Sequence, residues 1–367
     1  MTITDAPLGL AKGELDTPAL LVDLDTMEKN IARVAAECRA HGVAWRPHSK
    51  AHKTPQIGQL QIAAGAIGVT CAKLGEAEVM AAAGIGSILV ANQIVGAAKI
   101  SRLMALGRLA EIIVAVDSLA NLDELDASAR AAGRRQPVVI ELDVGMRRAG
   151  LSPGPGVAAF AQAIADRPGL DFAGLTAWES HAVAIADPAE KQNAVAEALA
   201  RVTDAAAACA AAGLPARIVS CGGTGTFPYC VRQPGVTEVQ VGGAIFADLL
   251  YRESFALDLP TSLTILTTVV SRPTPTRIIV DAGKKAMSCD AAMPRPLGLG
   301  PLAGIRLSAE HTTIELASPS DDPPVGGRLE FLVGYSDTTV HLHEEIVGVR
   351  NGAVERRWTV AARGKLK

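Results

Sequence analysis

The run Trp45-Arg46-Pro47-His48-Ser49-Lys50-Ala51-His52-Lys53 places three cationic side chains and two imidazoles within nine residues. A lysine crowded by other cations gives up its proton more readily, because each neighbouring positive charge disfavours the ammonium form. A neutral lysine amine is a nucleophile that forms a Schiff base with a carbonyl carbon. The same composition also describes a solvated basic patch or a phosphate-binding surface. The run by itself leaves these readings open.

Four further polar clusters follow along the chain. They are Asp143-Val144-Gly145-Met146-Arg147-Arg148, Trp178-Glu179-Ser180-His181, Ser220-Cys221-Gly222-Gly223-Thr224-Gly225-Thr226 and Gly242-Gly243. Each comes directly after a short apolar run. Those runs are 43–47, 67–71, 87–91, 112–116, 137–143, 171–177, 217–220 and 238–241, eight in all. Near-continuous apolar runs of this length read as strands buried on both faces. Helix-period stretches separate them, among them Thr54 to Ala64, Leu74 to Ala83, Ala97 to Leu106 and Ala189 to Ala212. Eight strands alternating with helices predict a (β/α)₈ barrel of parallel strands, with a doubly wound open sheet as the runner-up. Barrel sites form at the C-terminal ends of the strands, and the loops after strands seven and eight commonly hold phosphate. Gly222, Gly223, Thr224 and Gly225, then Gly242 and Gly243, occupy those two loops. A lysine after strand one and a phosphate cup after strands seven and eight together suggest pyridoxal phosphate (PLP).

Beyond about residue 255 the helix pattern stops. Alternating segments follow at Leu263 to Val270, Arg277 to Val280, Gly304 to Leu307, Thr312 to Leu316, Arg328 to Val333, Val340 to His343, Glu345 to Arg350 and Ala353 to Trp358. Asn351-Gly352 between the last two is a hairpin signal. The expected division is a barrel over 27–250 and a mainly antiparallel β-domain from 1–26 plus 251–367. Ala19 to Leu24 joins the β-domain, and Asp25-Thr26 is the expected cap of the first helix.

Bulk properties exclude several classes. The hydrophobic fraction is 49%, enough for a large core, and aromatics are only 3%. A net charge of −3 gives no reason to expect nucleic acid or an anionic membrane as partner. Six scattered cysteines without a C-x-x-C pair suit a reducing cytoplasm. The first eighteen residues carry charge and proline and so suggest no signal peptide, and no stretch of about eighteen uncharged apolar residues occurs, so no membrane span is expected.

Several segments resemble the D-threonine aldolase group of alanine-racemase-like PLP enzymes, which also includes 3-hydroxy-D-aspartate aldolases and D-serine dehydratases. They are Thr17 to Asp25, Arg46 to Lys53, Asp143 to Gly150, Gly222 to Thr226, Asp281 to Ala286, Gly348 to Gly352 and Ala361 to Gly364. They span nearly the whole chain in the family order. The resemblance implies Lys50 as the Schiff-base lysine, Arg148 near the cofactor's phenolic oxygen, and the glycine loops on its phosphate. Trp178 and His181 fall at the same strand ends, and His181 or His52 is the candidate proton acceptor. The activity implied is retro-aldol cleavage of a 3-hydroxy-D-amino acid to an amino acid such as glycine plus an aldehyde or oxoacid. A dehydratase giving a 2-oxoacid and ammonia is the alternative. A racemase with Tyr335 as second base, or a non-catalytic PLP-binding protein, ranks below these. Homodimers are common in the group.

The family carries a divalent-metal site (Mg, Mn or Zn) built from a histidine and, two residues on, an aspartate or cysteine. Here Asp337 keeps its place, but Tyr335 stands at the histidine position. A neutral phenol is a poor ligand beside an imidazole. Either the metal is lost, or Asp337 holds it weakly with help from His343 or His341. The two histidines are otherwise expected on one face of a strand.

Overall fold

The computed structural model describes residues 8–367, so part of the expectation for the N-terminal segment lies outside it. The chain divides into two compact units. One is built from Ala32–Lys50, Thr54–Gly242 and Gly364–Lys367, the other from the described part of Met1–Ile31 with Ala51–Lys53 and Gly243–Arg363.

In chain order the elements open with β1 (Ala19–Asp23) and α1 (Leu24–Ala40). The barrel strands follow: β2 (Ala44–Trp45), β3 (Val69–Cys71), β4 (Ser87–Gln93), β5 (Glu111–Val116), β6 (Gln136–Leu142), β7 (Leu170–Ala177), β8 (Ile218–Cys221) and β9 (Glu238–Val239). Helices α2 (Pro55–Ala63), α3 (Leu74–Ala82), α4 (Ala97–Leu106), α5 (Leu119–Ala131), α6 (Gly156–Ala165), α7 (Pro188–Ala211) and α8 (Phe227–Cys230) lie between them. All eight apolar runs are strands, paired in parallel in the order β2-β9-β8-β7-β6-β5-β4-β3. The two ends of that order also meet. Ile67 N–H donates to Trp45 O and Thr70 N–H to Pro47 O, both at 2.8 Å, with a parallel bridge between His48 and Thr70. The sheet therefore closes on itself as a barrel.

The local reasons are ordinary ones. Strand β5 reads Glu-Ile-Ile-Val-Ala-Val, and every residue after the first is buried. Helix α7 starts with Pro188 in its first turn, and the Asp187 carboxylate accepts the N–H of Glu190 at 2.8 Å. It buries Val195, Ala198, Leu199, Val202 and Ala205, an i, i+3, i+4, i+7 stripe.

Inside the barrel, Arg46 of the first-strand run meets Glu238 of β9. Its Nε lies 3.0 and 3.1 Å from the two carboxylate oxygens, and its Nη1 donates to Ser87 Oγ at 2.8 Å. Both side chains are almost fully buried. Arg46 is thus matched by a carboxylate, and its charge is not an uncompensated neighbour of Lys50, as the sequence had suggested.

The second unit holds β1 with β10 (Leu263–Thr274), β11 (Arg277–Val280), β12 (Arg295–Pro296), β13 (Leu302–Leu307), β14 (Thr312–Leu316) and β15 (Arg328–Leu332). A short helix α9 (Ser336–Thr339) leads to β16 (Glu345–Arg350) and β17 (Ala353–Thr359). The sheet runs β13-β14-β11-β10-β1-β16-β17, with β15 joining β10 to β12. Only the β1–β16 pair is parallel. Asn351 and Gly352 have φ of 51° and 77°, the two positive values of a type I′ hairpin turn.

Two sequence expectations fail here, and one strand was not foreseen. Val340 to His343 is not a strand; α9 runs into a 3₁₀ turn over Val340–Leu342. The β-branched run Thr338-Thr339-Val340 favours extension, but Asp248, 88 residues away, accepts the Ser336 N–H at 2.7 Å and fixes a helical start. The first helix begins at Leu24, and its cap is Asp23, whose carboxylate accepts the Thr26 N–H at 2.8 Å. Strand β12 has only two residues and no periodicity to reveal it.

Replacing Glu238 with alanine leaves the Arg46 guanidinium buried without its carboxylate. The expected cost is about 3–5 kcal/mol, read as a fall in the midpoint of urea unfolding. A loss below about 1 kcal/mol, the scale of an exposed pair, would mean that Arg46 finds water or another acceptor.

Candidate active site

Lys50 sits in the 3₁₀ turn Ser49–Ala51 just after β2. Ser49 anchors that turn. Its hydroxyl is fully buried and bonds Glu76 Oε1 at 2.7 Å and Thr70 O at 3.0 Å, while Glu76 also accepts the Ala72 N–H at 3.0 Å. The Lys50 ammonium lies 5.3 Å from the ring centroid of Trp178, which follows β7. The Arg148 guanidinium lies 5.6 Å from the same ring. One indole therefore collects two cations from loops almost a hundred residues apart. The Trp178 Nε1–H itself is buried with no hydrogen-bond partner among the described residues.

Arg148 is held from behind. Its Nη2 is 3.5 Å from Glu141 Oε1, and Glu141 Oε2 accepts from Gln93 Nε2 at 2.5 Å. Gln93 also reaches Asp117 Oδ2 at 3.2 Å, and that oxygen accepts the Gly150 N–H at 3.0 Å. Gln93, Asp117 and Glu141 stand at the ends of β4, β5 and β6. No motif marks these three; their one signal in the sequence is a polar residue closing an otherwise apolar strand. Asp143 shapes the same loop by accepting the N–H groups of Gly145 and Arg147 at 2.9 Å. Those donors hold its carboxyl below the usual carboxylate range.

The loop after β8 is fixed by one buried carboxylate. Glu179 accepts from the Gly222 N–H at 3.4 Å, from Cys230 Sγ at 3.2 Å and from the Thr226 hydroxyl. Thr226 Oγ1 in turn accepts the Gly223 N–H at 3.2 Å. A Cβ at Gly223 would lie 2.9 Å from Trp178 Nε1, so loop and indole touch only because that residue is glycine. The N–H groups of Thr224 and Gly225 have no acceptor among the described residues, although both residues are buried. Buried N–H groups are seldom left unmatched. Gly242 approaches the first strand, where a Cβ would lie 2.1 Å from His48 O. His181 is exposed in the turn Ser180–Ala182, its ring against Gly145.

The remaining expected residues belong to the β-rich unit. His52 is fully buried. Gly243 lies against the Tyr251 ring, where a Cβ would be 2.4 Å from it. Tyr335 donates its phenol to Asp337 Oδ2 at 2.9 Å, Tyr251 donates to Asp337 Oδ1 at 3.4 Å, and the two rings meet edge-on at 5.8 Å. Burial and the nearby carboxylate push both phenols above their ordinary pKa. Asp248 completes the group, accepting from Tyr251 N and Ser336 N, and burial raises its carboxyl to about 7. Tyr251 and Asp248 had no motif to mark them. His343 Nε2 lies 2.8 Å from Ala286 O, so that nitrogen carries the proton. His341 is exposed, with Nδ1 3.3 Å from Asp337 O.

With this geometry in view, comparison with known proteins is decisive. Residues 22–249 match the family model described as alanine racemase, N-terminal domain, and residues 262–349 the putative serine dehydratase domain. The chain is 35% identical to a D-threonine aldolase of Arthrobacter sp over 353 residues, covering 95% of this chain and 93% of that protein. The chain belongs to the alanine-racemase-like family, in its D-threonine aldolase group. It is 36% identical to a 3-hydroxy-D-aspartate aldolase of Paracoccus denitrificans (strain Pd 1222) over 370 residues, covering 97% and 94%. The solved D-threonine aldolase of Filomicrobium marinum superposes with a TM-score of 0.95 at 33% identity, over 99% of this chain and all of that one.

Membership of this family implies PLP, and the barrel unit fits it. A lysine, an indole with an unmatched N–H and two uncommitted buried N–H groups gather at one set of strand ends. The divalent metal does not fit equally well. Both Asp337 oxygens accept phenols, and among the described residues no cluster of three carboxylate, imidazole or thiol ligands forms around Asp337. Among the described residues only Glu179, Cys221 and Cys230 gather at ligand spacing, and burial pushes both thiols up, away from the thiolate form that binds a metal.

Calorimetric titration with Mn²⁺ is accordingly expected to give weak binding at most. Tyr335→His should raise the affinity at least tenfold, since imidazole replaces a phenol beside Asp337. Tight stoichiometric binding by the unaltered protein would overturn the donor assignment.

Proposed function

We propose that this chain is a PLP-dependent lyase that cleaves 3-hydroxy-D-amino acids by retro-aldol chemistry, giving an amino acid such as glycine and an aldehyde or oxoacid. The observation that carries the proposal is the meeting of Lys50 and Arg148 on Trp178 beside the Gly222–Thr226 loop. The full-length similarity to two aldolases supports the same choice.

Bound PLP supplies an electron sink for the charge left at Cα when the Cα–Cβ bond breaks. The residues of this chain do the rest. Lys50 offers the amine that would hold the cofactor, and the Ser49–Glu76 bond keeps that amine in place. Arg148 keeps a positive charge at the Trp178 face, and its contact with Glu141 limits its swing. The N–H groups of Thr224 and Gly225 would receive the phosphate, as unmatched backbone donors receive anions elsewhere. His181 is the proposed acceptor of the β-hydroxyl proton, because it is exposed at a strand end and can pass a proton to water. His52, fully buried, is left out of that step.

A second reading is dehydration to a 2-oxoacid and ammonia, favoured by the match of residues 262–349 to a putative serine dehydratase domain. The racemase reading loses support, because Tyr335 is a half-buried phenol already engaged as donor to the Asp337 carboxylate. The same proposal includes a homodimer and a cytoplasmic location. No disulfide joins any of the six cysteines, and no helix among the described residues is long and apolar enough to cross a membrane.

Product analysis with D-threonine, D-3-hydroxyaspartate and D-serine decides between the two reactions. Glycine with acetaldehyde or glyoxylate is expected, and activity should survive EDTA; pyruvate or oxaloacetate with ammonia would establish the dehydratase. Lys50→Ala should lose the visible absorbance of bound PLP together with turnover, and a fully active Lys50→Ala protein would refute the assignment. His181→Asn should keep that absorbance while kcat falls by about 10²-fold or more, the usual worth of a general base. An unchanged kcat would remove His181 from the proton step.

A further inference from the structure

Glu179 is a fully buried acid at these strand ends, and the chemistry above does not use it. A carboxylate beside a loop meant for phosphate is at first sight misplaced, since like charges repel. Its hydrogen bonds explain it. Three donors reach it from this loop and the helix α8 that follows: the Gly222 N–H, the Thr226 hydroxyl and the Cys230 thiol, at sequence separations of 43, 47 and 51. Thr226 extends the hold to the Gly223 N–H. Between these anchored points lie Thr224 and Gly225, the two residues whose N–H groups have no acceptor among the described residues. Glu179 thus binds both flanks of a short segment and none of its middle.

We infer that Glu179 is a positioning residue that sets the Gly222–Thr226 loop so that the N–H groups of Thr224 and Gly225 stay available to a phosphate. The inference rests on the cofactor reading above and adds the residue that shapes the phosphate subsite. The cluster of Glu179, Cys221 and Cys230 has the spacing of metal ligands. Occupation by an ion would need both thiols ionised and would take Glu179 from Thr226 and Gly222. The hydrogen-bonded arrangement needs neither change.

The two possible effects of Glu179 have opposite signs, and this makes a test. If its charge merely opposed the phosphate, Glu179→Gln would tighten binding. If it positions the loop, glutamine keeps the bonds to Thr226 and Cys230 through one oxygen but cannot accept the Gly222 N–H with its amide nitrogen. Hydrogen bonds to charged groups are strong enough that PLP affinity should then fall by about tenfold. Apoprotein is reconstituted with PLP and, separately, with pyridoxal, which lacks the phosphate. The expected result for Glu179→Gln is a weaker Kd for PLP, an unchanged Kd for pyridoxal, and a shifted or broadened ³¹P resonance of the bound cofactor. Thr226→Val, a milder change with the same expected direction, replaces it should Glu179→Gln fail to fold.

Equal or tighter PLP binding by the folded variants, or equal losses for PLP and pyridoxal, would overturn the positioning role. An unaltered protein that binds neither compound would instead overturn the cofactor reading and the inference with it. The two failures are separated by the wild-type arm alone.

Discussion

The site of the barrel unit depends on ring closure. Two backbone hydrogen bonds, Ile67 to Trp45 and Thr70 to Pro47, join the edges of an eight-stranded parallel sheet. Without them β2 would border only β9, and Thr70 and Glu76 would not be brought to Ser49. That bond set fixes the turn bearing Lys50. On its other side β2 pairs with β9, where Arg46 and Glu238 neutralise each other in the interior. A buried guanidinium and a buried carboxylate are each costly alone. Paired with each other, they become compatible with an apolar interior.

Acidic residues carry much of the architecture at the strand ends, and for a common reason. Glu76, Glu141, Asp143 and Glu179 each accept two or more hydrogen bonds from neighbouring loops. A carboxylate has two oxygens and several lone pairs, so one side chain can tie together points far apart in sequence. The cations Lys50 and Arg148 remain near the indole while the acids sit behind the loops. This division of labour produces a positively charged face on an acid-braced frame.

The β-rich unit has its own polar centre. Asp337 accepts two phenols, and Asp248 accepts two backbone N–H groups nearby. Tyr335 therefore does more than present a phenol oxygen there. It supplies a donor that occupies the carboxylate, and it stacks edge-on against Tyr251. A site that would offer lone pairs to a cation offers hydrogen bonds to itself instead.

The sequence by itself determined the number, order and type of the barrel elements, because apolar runs and helical periodicity are local properties that survive folding. From that count the places of Lys50, Arg148, Trp178 and the glycine loops at strand ends followed directly. The type I′ turn at Asn351-Gly352 was legible for the same reason, since positive φ is a demand on those two residues alone. Tertiary structure decided which polar groups meet. Glu179 and Cys230, Tyr251 and Asp337, or Asp248 and Ser336 are separated by 51, 86 and 88 residues, and no period links them. The last pair fixes the start of α9, which runs on into a 3₁₀ turn over Val340–Leu342 where a strand was expected.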